Sequence, residues 1–404
     1  MKSEVIKKTI KNNLRFVHVK NKSNDIVINL YVKVGSFDET ENTRGISHFI
    51  EHMLWQGTKN HTGFEIRQKI KDLDATYNAY TSIKRTCYSI FGPKRHYEKL
   101  LKILLDVVQN PSFDKAEIER ERNVILDEYK RGLDDPKVIL DKKIHSFIFK
   151  DTNLSYLPIG TFENISSFIR EDLVSFYEKH YFSNNMIISV TGNLEEPEKL
   201  IEKYFTLEEK EPIKRELKIP TFKGIHQFSL SEGVLATHFG LVFKAVNYFD
   251  KDYPVFEIID YLLDYGKEIN LLESIRQNLG LTYHINTIQT TYQESGYLSI
   301  NTTIEPSKID FLKESIFKEL EKLKTVSKKE LNYVKKKMKK NYNSIKKYPF
   351  ILESLVINNE LFGSEESYKK RLELIEKVSS EDIKRVCDTY FNDYLVGVIY
   401  PKEV

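Results

Sequence analysis

The sequence has little of what marks secreted or membrane proteins. It contains two cysteines in 404 residues, Cys87 and Cys387, one in each half of the chain. A disulfide framework is therefore not expected, and a reducing compartment is predicted. No run of about eighteen apolar residues occurs, and segment 1–11 is rich in charge, so neither a membrane span nor a signal sequence is expected. These absences predict a cytoplasmic protein.

An excess of charge of one sign is also missing. The chain has 62 basic and 59 acidic residues, which leave a net charge of +3. This balance does not favour nucleic acid or an anionic membrane as a partner. Hydrophobic residues make up 40% of the chain and aromatic residues 12%, which is enough for packed cores. The length suits two domains of about 200 residues each.

What the sequence does contain is a cluster of two histidines and a glutamate in residues 48–52. On a helix, His48, Glu51 and His52 project from one face because they are three and four positions apart. Two neutral imidazoles can bind a metal ion, and a carboxylate beside them can accept a proton from water. The pattern H-x-x-E-H inverts the H-E-x-x-H of many zinc peptidases. The alternative is a partly buried helix whose histidines are hydrogen-bonded into a core.

A third metal ligand is expected elsewhere, and the charged helical segment 113–128 offers candidates. Glu121 and Glu128 are two turns apart, on the same helix face as Ile125. Carboxylates on a charged helix are usually solvated, and this alternative fits Glu117. It fits Glu128 less well, because Glu128 continues an inward-facing stripe with Ile125.

With these residues the chain resembles the pitrilysin/insulysin superfamily of zinc peptidases, and most closely the shorter branch that includes the mitochondrial processing peptidase and its bacterial relatives. The resemblance runs through residues 44–58 and includes the distal glutamate pair, whose second member follows His52 by 76 positions (128 − 52). It implies a bound zinc ion, with His48, His52 and Glu128 as ligands, Glu51 as general base and Glu121 as a supporting carboxylate.

Two further segments carry the resemblance. Asn78, Ala79, Tyr80 and Thr81 look like the family's substrate-binding edge strand, although the Gly-Gly pair that often precedes it is Asp74-Ala75 here. Residues 271–283 look like the family's arginine–tyrosine element, which maps onto Arg276 and Tyr283. The resemblance implies that Arg276 orients a peptide carbonyl and that Tyr283 donates to the oxyanion. Without it, Arg276 would be an ordinary surface residue and Tyr283 the start of a strand.

Short segments recur at a nearly constant shift along the chain. Segment 66–68 recurs at 275–277, a shift of 209 (275 − 66), and 171–173 recurs at 381–383, a shift of 210 (381 − 171). At this shift both histidines are lost, and with a small insertion allowed Glu128 falls on Asn341, so one zinc per chain is expected. The fold class predicted is α+β, with two homologous α/β sandwich domains, mostly antiparallel sheets and helices packed on one face. The predicted bounds are 1–207 for the zinc-binding domain, 208–222 for a charged linker and 223–404 for the duplicated domain.

Local patterns predict individual elements. The alternation of residues 25–34 predicts a half-buried strand, with 13–20 as its partner strand. Helices are predicted at 97–109 and 171–180, followed by an apolar strand at 186–191.

The function predicted is a zinc metalloendopeptidase that hydrolyses peptides or unfolded segments, which bind as an added strand along 78–81. The alternative is a non-catalytic subunit or scaffold of a heterodimeric processing peptidase, and the intact ligand set argues against it. The resemblance also implies a homodimer, in which Arg276 and Tyr283 of one chain serve the zinc of the other. Neither nucleic acid nor a membrane is expected as a partner.

Overall fold

The computed structural model of the chain describes residues 3–216, 218–220, 222–345, 347–363 and 368–402. Contacts between Cα atoms divide the chain into two compact units. Unit 1 comprises the described residues of Met1–Lys130, Tyr156–Glu216 and Ile345–Gly363; unit 2 comprises those of Arg131–Ser155, Leu217–Ser344 and Ser364–Val404. Each unit thus takes one segment from the other half of the sequence. The bounds 1–207, 208–222 and 223–404 refer to the sequence repeat and stay a prediction.

Eleven strands and fourteen α-helices form the described part of the chain. The strands are β1 Glu4–Ile10, β2 Leu14–Lys20, β3 Asp25–Val32, β4 Thr76–Thr81, β5 Thr86–Pro93, β6 Met186–Gly192, β7 Ile225–Glu232, β8 Thr237–Ala245, β9 Ile285–Thr291, β10 Gly296–Ile304 and β11 Tyr394–Pro401. The helices are α1 Ile46–Leu54, α2 Gly63–Asp72, α3 Tyr97–Gln109, α4 Lys115–Asp134, α5 Pro136–Ile148, α6 Phe162–Ser167, α7 Arg170–His180, α8 Glu198–Tyr204, α9 Tyr253–Tyr265, α10 Ile309–Leu323, α11 Lys328–Ile345, α12 Pro349–Phe362, α13 Tyr368–Lys377 and α14 Ser380–Tyr390.

Each unit contains one sheet, and the five strands of the second sheet follow the same order as the first sheet without its edge strand β1. The first runs β1-β2-β6-β3-β5-β4 and the second β7-β11-β8-β10-β9. In each sheet one pair is parallel, β2 with β6 and β7 with β11, and the other pairs are antiparallel. The predicted α+β class with mostly antiparallel sheets is confirmed. The pairing predicted between segments 13–20 and 25–34 is wrong, because β6 lies between β2 and β3.

Most helices of unit 1 cover one face of its sheet. Apolar side chains of α1, α3 and α7 pack there against the inward residues of the central strands, such as Ile28, Leu30 and Ile188. The opposite face carries a smaller cluster, in which Val17, Val19 and Ile187 contact helix α12. This second layer comes from the other half of the chain, and no local pattern in the sequence predicts it.

A buried carboxylate attaches α12 to its sheet. Glu353 is 4% exposed and accepts hydrogen bonds from Asn29 Nδ2 at 3.2 Å, Tyr31 Oη at 3.0 Å and Ser189 Oγ. Asn29 and Ser189 are register partners on neighbouring strands. Several donors are needed here because an ionised carboxylate without partners is very costly to bury.

In unit 2 a helix also packs on this face of the sheet, but no buried carboxylate among the described residues attaches it. There α5 packs on β8 and β11, and the register partners are Gly240 and Gly397. Leu140 of α5 fills the space over them, so that a Cβ on Gly397 would lie 2.9 Å from the Leu140 Cδ1 atom. The two crossing helices therefore meet chemically different sheet surfaces.

None of the helices in the described part of the chain combines the length and apolar character that crossing a bilayer requires.

Candidate metal centre

The centre is built on α1, whose two faces differ. Phe49, Ile50 and Met53 are buried in the core of unit 1. Because this face packs on the core, the face that carries the histidines points outward. The helix starts after Gly45, whose φ of 96° is in the left-handed region that favours glycine. Glu39 accepts from the backbone N–H of Gly45 at 2.8 Å and from that of Ser47 at 3.0 Å. This fully buried carboxylate therefore caps the helix that carries the histidines.

Three side chains meet at one point beside α1. The Glu128 Oε2 atom of α4 lies 3.7 Å from His48 Nε2 and 3.6 Å from His52 Nε2. Zinc bonds of about 2.0–2.2 Å in tetrahedral geometry separate ligand atoms by roughly 3.3–3.6 Å. His48, His52 and Glu128 form the one metal-binding group found among the described residues. Its two imidazoles and one carboxylate match the donors of a catalytic zinc site.

Glu121 lies behind the histidines, as a supporting carboxylate would. Its Oε2 atom is 3.1 Å from His52 Nδ1, so His52 Nε2 is left to face Glu128. Burial opposes protonation of His52, but hydrogen bonds to Glu121 and Glu128 outweigh it and raise the pKa of His52 to about 10. Burial lowers the pKa of His48 to about 4, which favours the neutral, metal-binding imidazole.

Glu51 stands apart from the three metal-facing groups. Its Oε2 atom is 3.9 Å from His48 Nε2 and accepts a hydrogen bond from Thr81 Oγ1 at 3.1 Å. Burial raises the pKa of Glu51, although His52 and Thr81 act in the opposite direction. A buried carboxylate beside the metal position, with one described hydrogen-bond donor, can accept a proton.

The segment predicted to bind substrate lies in β4, at the edge of the first sheet. β4 pairs with β5, and no strand of the described chain pairs with its other side. Ala79 faces the core under α1 and Thr81 faces Glu51, whereas Tyr80 lies on the opposite face near Arg85. Asn78 is exposed on the same face as Tyr80. The free edge thus runs beside the metal position.

In unit 2 the matching positions hold no metal-binding group. Glu257 and Tyr261 of α9 replace the histidines, and Asn341 of α11 replaces Glu128. Asn341 Nδ2 donates to Tyr261 Oη at 2.8 Å, and Tyr342 Oη donates to Glu257 at 3.0 Å. The side chains there are hydrogen-bonded to one another and lack the imidazoles that a zinc site needs.

The predicted arginine–tyrosine element also lies in unit 2. Arg276 belongs to a π-helical segment, Leu272–Asn278, and Tyr283 follows after Gly280, whose φ is 60°. The Arg276 guanidinium lies 4.8 Å from the centre of the Tyr283 ring. Tyr283 is 81% exposed, far more than a residue that starts a packed strand. Tyr283 is thus exposed to solvent, and Arg276 is partly exposed.

Sequence reasoning missed two residues that support α1. Glu39 is one, and Arg215 is the other. Arg215 lies in the predicted linker, yet its guanidinium makes hydrogen bonds of 2.6 and 2.8 Å to the buried carboxylate of Asp38, next to Glu39. The Arg215 contact joins positions 177 residues apart, so no local pattern could indicate it. Glu39 lies six and eight positions before its partners, outside the helical pattern that starts at Ile46. Positions 217 and 221 of the linker lie outside the described residues.

Known proteins resemble this chain over most of its length. Residues 15–161 match the insulinase family (peptidase family M16), and residues 167–338 match the peptidase M16 inactive domain. An uncharacterized zinc protease of Rickettsia felis is 28% identical over 93% of this chain and 92% of its own. The mitochondrial-processing peptidase subunit beta of Dictyostelium discoideum is 27% identical over 78% of this chain and 71% of its own.

A solved structure shares the fold. A protease from Helicobacter pylori superimposes with a TM-score of 0.90 at 22% identity, and the match covers 99% of this chain and 100% of that one. The H-x-x-E-H helix lies in the first matched segment, and the position where both histidines are replaced lies in the second, which matches the inactive-domain family. The chain belongs to the insulinase/pitrilysin superfamily, peptidase family M16.

Proposed function

We propose that this chain is a zinc-dependent metalloendopeptidase. The observation that carries the proposal is the meeting of His48, His52 and Glu128 within ligand distance of one another, with Glu51 beside them and not among them. This separation of metal-facing groups from a free carboxylate is what hydrolysis at zinc requires.

The ligands, Glu51 and Glu121 have different roles in the proposed hydrolysis. A zinc ion held by the three ligands would polarise the scissile carbonyl and make an attacking water more acidic. Glu51 accepts the proton of that water and later donates it to the leaving amine. Glu121 keeps the His52 ring oriented through the Nδ1 contact at 3.1 Å.

The substrate is a peptide in extended conformation. The free edge of β4 offers backbone N–H and C=O groups along Asn78–Thr81, and pairing with them binds a peptide with little demand on its sequence. Folded proteins present few unpaired strands, so short peptides and unfolded segments are favoured. The two free, buried cysteines fit a reducing compartment such as the cytoplasm.

The second half contributes Arg276 and Tyr283. Arg276 orients the substrate backbone, and Tyr283 donates to the oxyanion that forms at the scissile carbon. In the proposed assembly, a two-fold symmetric homodimer, these residues serve the zinc of the partner chain.

Cleavage of an internally quenched peptide tests the activity. The wild-type protein loaded with zinc should cleave the peptide, and Glu51→Gln should retain zinc and fold but cleave about 10²–10⁴-fold more slowly. Glu163→Gln, an exposed carboxylate change on α6, serves as the control and should be unaffected. A wild-type chain that binds zinc and cleaves nothing would favour the alternative, a non-catalytic subunit or scaffold.

Mixing two inactive variants tests the shared site. Glu51→Gln and Arg276→Ala each disable one part, and a hybrid dimer contains one complete composite site. The mixture should regain up to about half of the wild-type activity. No recovery after confirmed subunit exchange, or full activity from a monomer, would contradict the homodimer.

A further inference from the structure

The general base Glu51 is held by a side chain from the substrate-binding edge. The Glu51 side chain is 11% exposed. Thr81 Oγ1, at 3.1 Å, is the hydrogen-bond donor to Glu51 among the described residues. A carboxylate on a three-torsion side chain has several rotamers, and one directional hydrogen bond can select among them.

Thr81 is itself well fixed. It is the last residue of β4, where its backbone is in register with Thr86 of β5. Branching at Cβ restricts the χ1 angle of threonine, so the direction of the hydroxyl follows from the strand backbone. The hydroxyl hydrogen can be donated to one acceptor at a time, and here that acceptor is Glu51.

The same strand has a second role in the proposed function. Its other edge is free to pair with a peptide, which would add a strand and order the β4 backbone further. A substrate bound there would therefore pair with the same strand that carries Thr81, the residue that donates to the general base. Among the described residues, the hydrogen bond from Thr81 Oγ1 is the one that joins the Glu51 carboxylate to β4.

We propose that Thr81 is a positioning residue, whose hydroxyl aligns the Glu51 carboxylate and couples its orientation to the edge strand that binds substrate. This inference rests on the proposed function. Because the hydroxyl acts on the base and not on the peptide, its removal lowers kcat and leaves KM nearly unchanged.

Two variants separate the hydroxyl from the shape of the side chain. Thr81→Val keeps the branched shape and removes the donor, and it should lower kcat about 10–100-fold with KM within about 2-fold. Thr81→Ser keeps the donor and should stay within about 5-fold of wild type. Thr76→Val, the same change at the exposed start of β4, is the matched control and should leave kcat unchanged.

Three further measurements do not depend on turnover. Zinc content should equal that of wild type in every variant. In the Glu51→Gln background, which does not cleave, adding Thr81→Val should change peptide affinity measured by fluorescence anisotropy less than about 2-fold. A crystal structure of Thr81→Val should show the Glu51 carboxylate rotated or in more than one orientation.

The outcomes separate this inference from the proposed function. Normal kcat in Thr81→Val, equal losses in Thr81→Val and Thr81→Ser, or a raised KM at constant kcat would each overturn the positioning role while peptide cleavage by the wild type still stands. An unchanged Glu51 conformation in the Thr81→Val crystal structure would overturn it too. Absence of cleavage by zinc-loaded wild type would refute both.

Discussion

The contact between Glu121 and His52 allows the contribution of a residue that does not touch the metal to be calculated. The Glu121 side chain is 8% exposed, and its Oε2 atom lies 3.1 Å from His52 Nδ1. A hydrogen bond to a charged group contributes ~1.5–3 kcal/mol, and a neutral one ~1 kcal/mol. Glu121→Ala removes the whole contribution and should weaken zinc binding about 10–100-fold. In Glu121→Gln the amide oxygen can still accept a hydrogen bond from His52, so zinc affinity should fall only about 2–30-fold.

The zinc dissociation constant measures this directly, by competition with a chromophoric chelator. Glu119→Gln is the control, because this carboxylate lies on the same helix, is 69% exposed and pairs with Arg122. We expect the order wild type equal to Glu119→Gln, then Glu121→Gln, then Glu121→Ala. Circular dichroism of each zinc-free variant checks that α4 is intact. A dissociation constant for Glu121→Ala equal to that of wild type would refute the reasoning.

Two further predictions concern the ligands and the support of α1. His52→Ala should reduce zinc from one ion per chain to nearly none by elemental analysis, whereas His96→Ala, at a half-buried histidine outside the metal-binding group, should retain it. Full occupancy in His52→Ala would exclude His52 as a ligand. Arg215→Met leaves the buried Asp38 carboxylate without its guanidinium and should lower the free energy of unfolding in urea by ~3–5 kcal/mol. The double variant Arg215→Met/Asp38→Asn should recover part of that loss, and an equal or larger loss would contradict a buried ion pair.

Regular elements were predictable where a single periodic pattern decides them. The helix predicted at 97–109 is found as Tyr97–Gln109, and the strand predicted at 25–34 as Asp25–Val32. β1 gave no such signal, because charged side chains interrupt the alternation of this edge strand. The wrong partner for β2 has another cause. Pairing between β2 and β6 joins residues more than 170 positions apart, and no local pattern carries that information.

The site shows the same division between local and distant signals. Separations of three and four positions predicted that His48, Glu51 and His52 share one helix face. The three side chains lie on one face of α1, as expected. Glu128 and Glu121 came from the family resemblance, because two turns of a charged helix alone do not identify which carboxylate turns inward. The hydroxyl of Thr81 and the cap from Glu39 were not predicted. The first depends on how β4 packs against α1, and the second on the non-helical path of the chain just before α1.

Glu353 of α12 and Leu140 of α5 differ in polarity, and this difference disfavours packing of either helix on the sheet of the other unit. The five strands shared by the two sheets follow the same order, so each sheet offers a similar surface on which a helix can pack. If α12 occupied the seat of α5, the Glu353 carboxylate would be buried over Gly240 and Gly397, which offer no side-chain donors. If α5 occupied the seat of α12, Leu140 would cover the polar groups of Asn29 and Ser189 without satisfying them. The Glu353 carboxylate and the Leu140 side chain thus favour packing of each helix on its own sheet. The two copies of the domain differ enough here to disfavour the exchanged arrangement during folding.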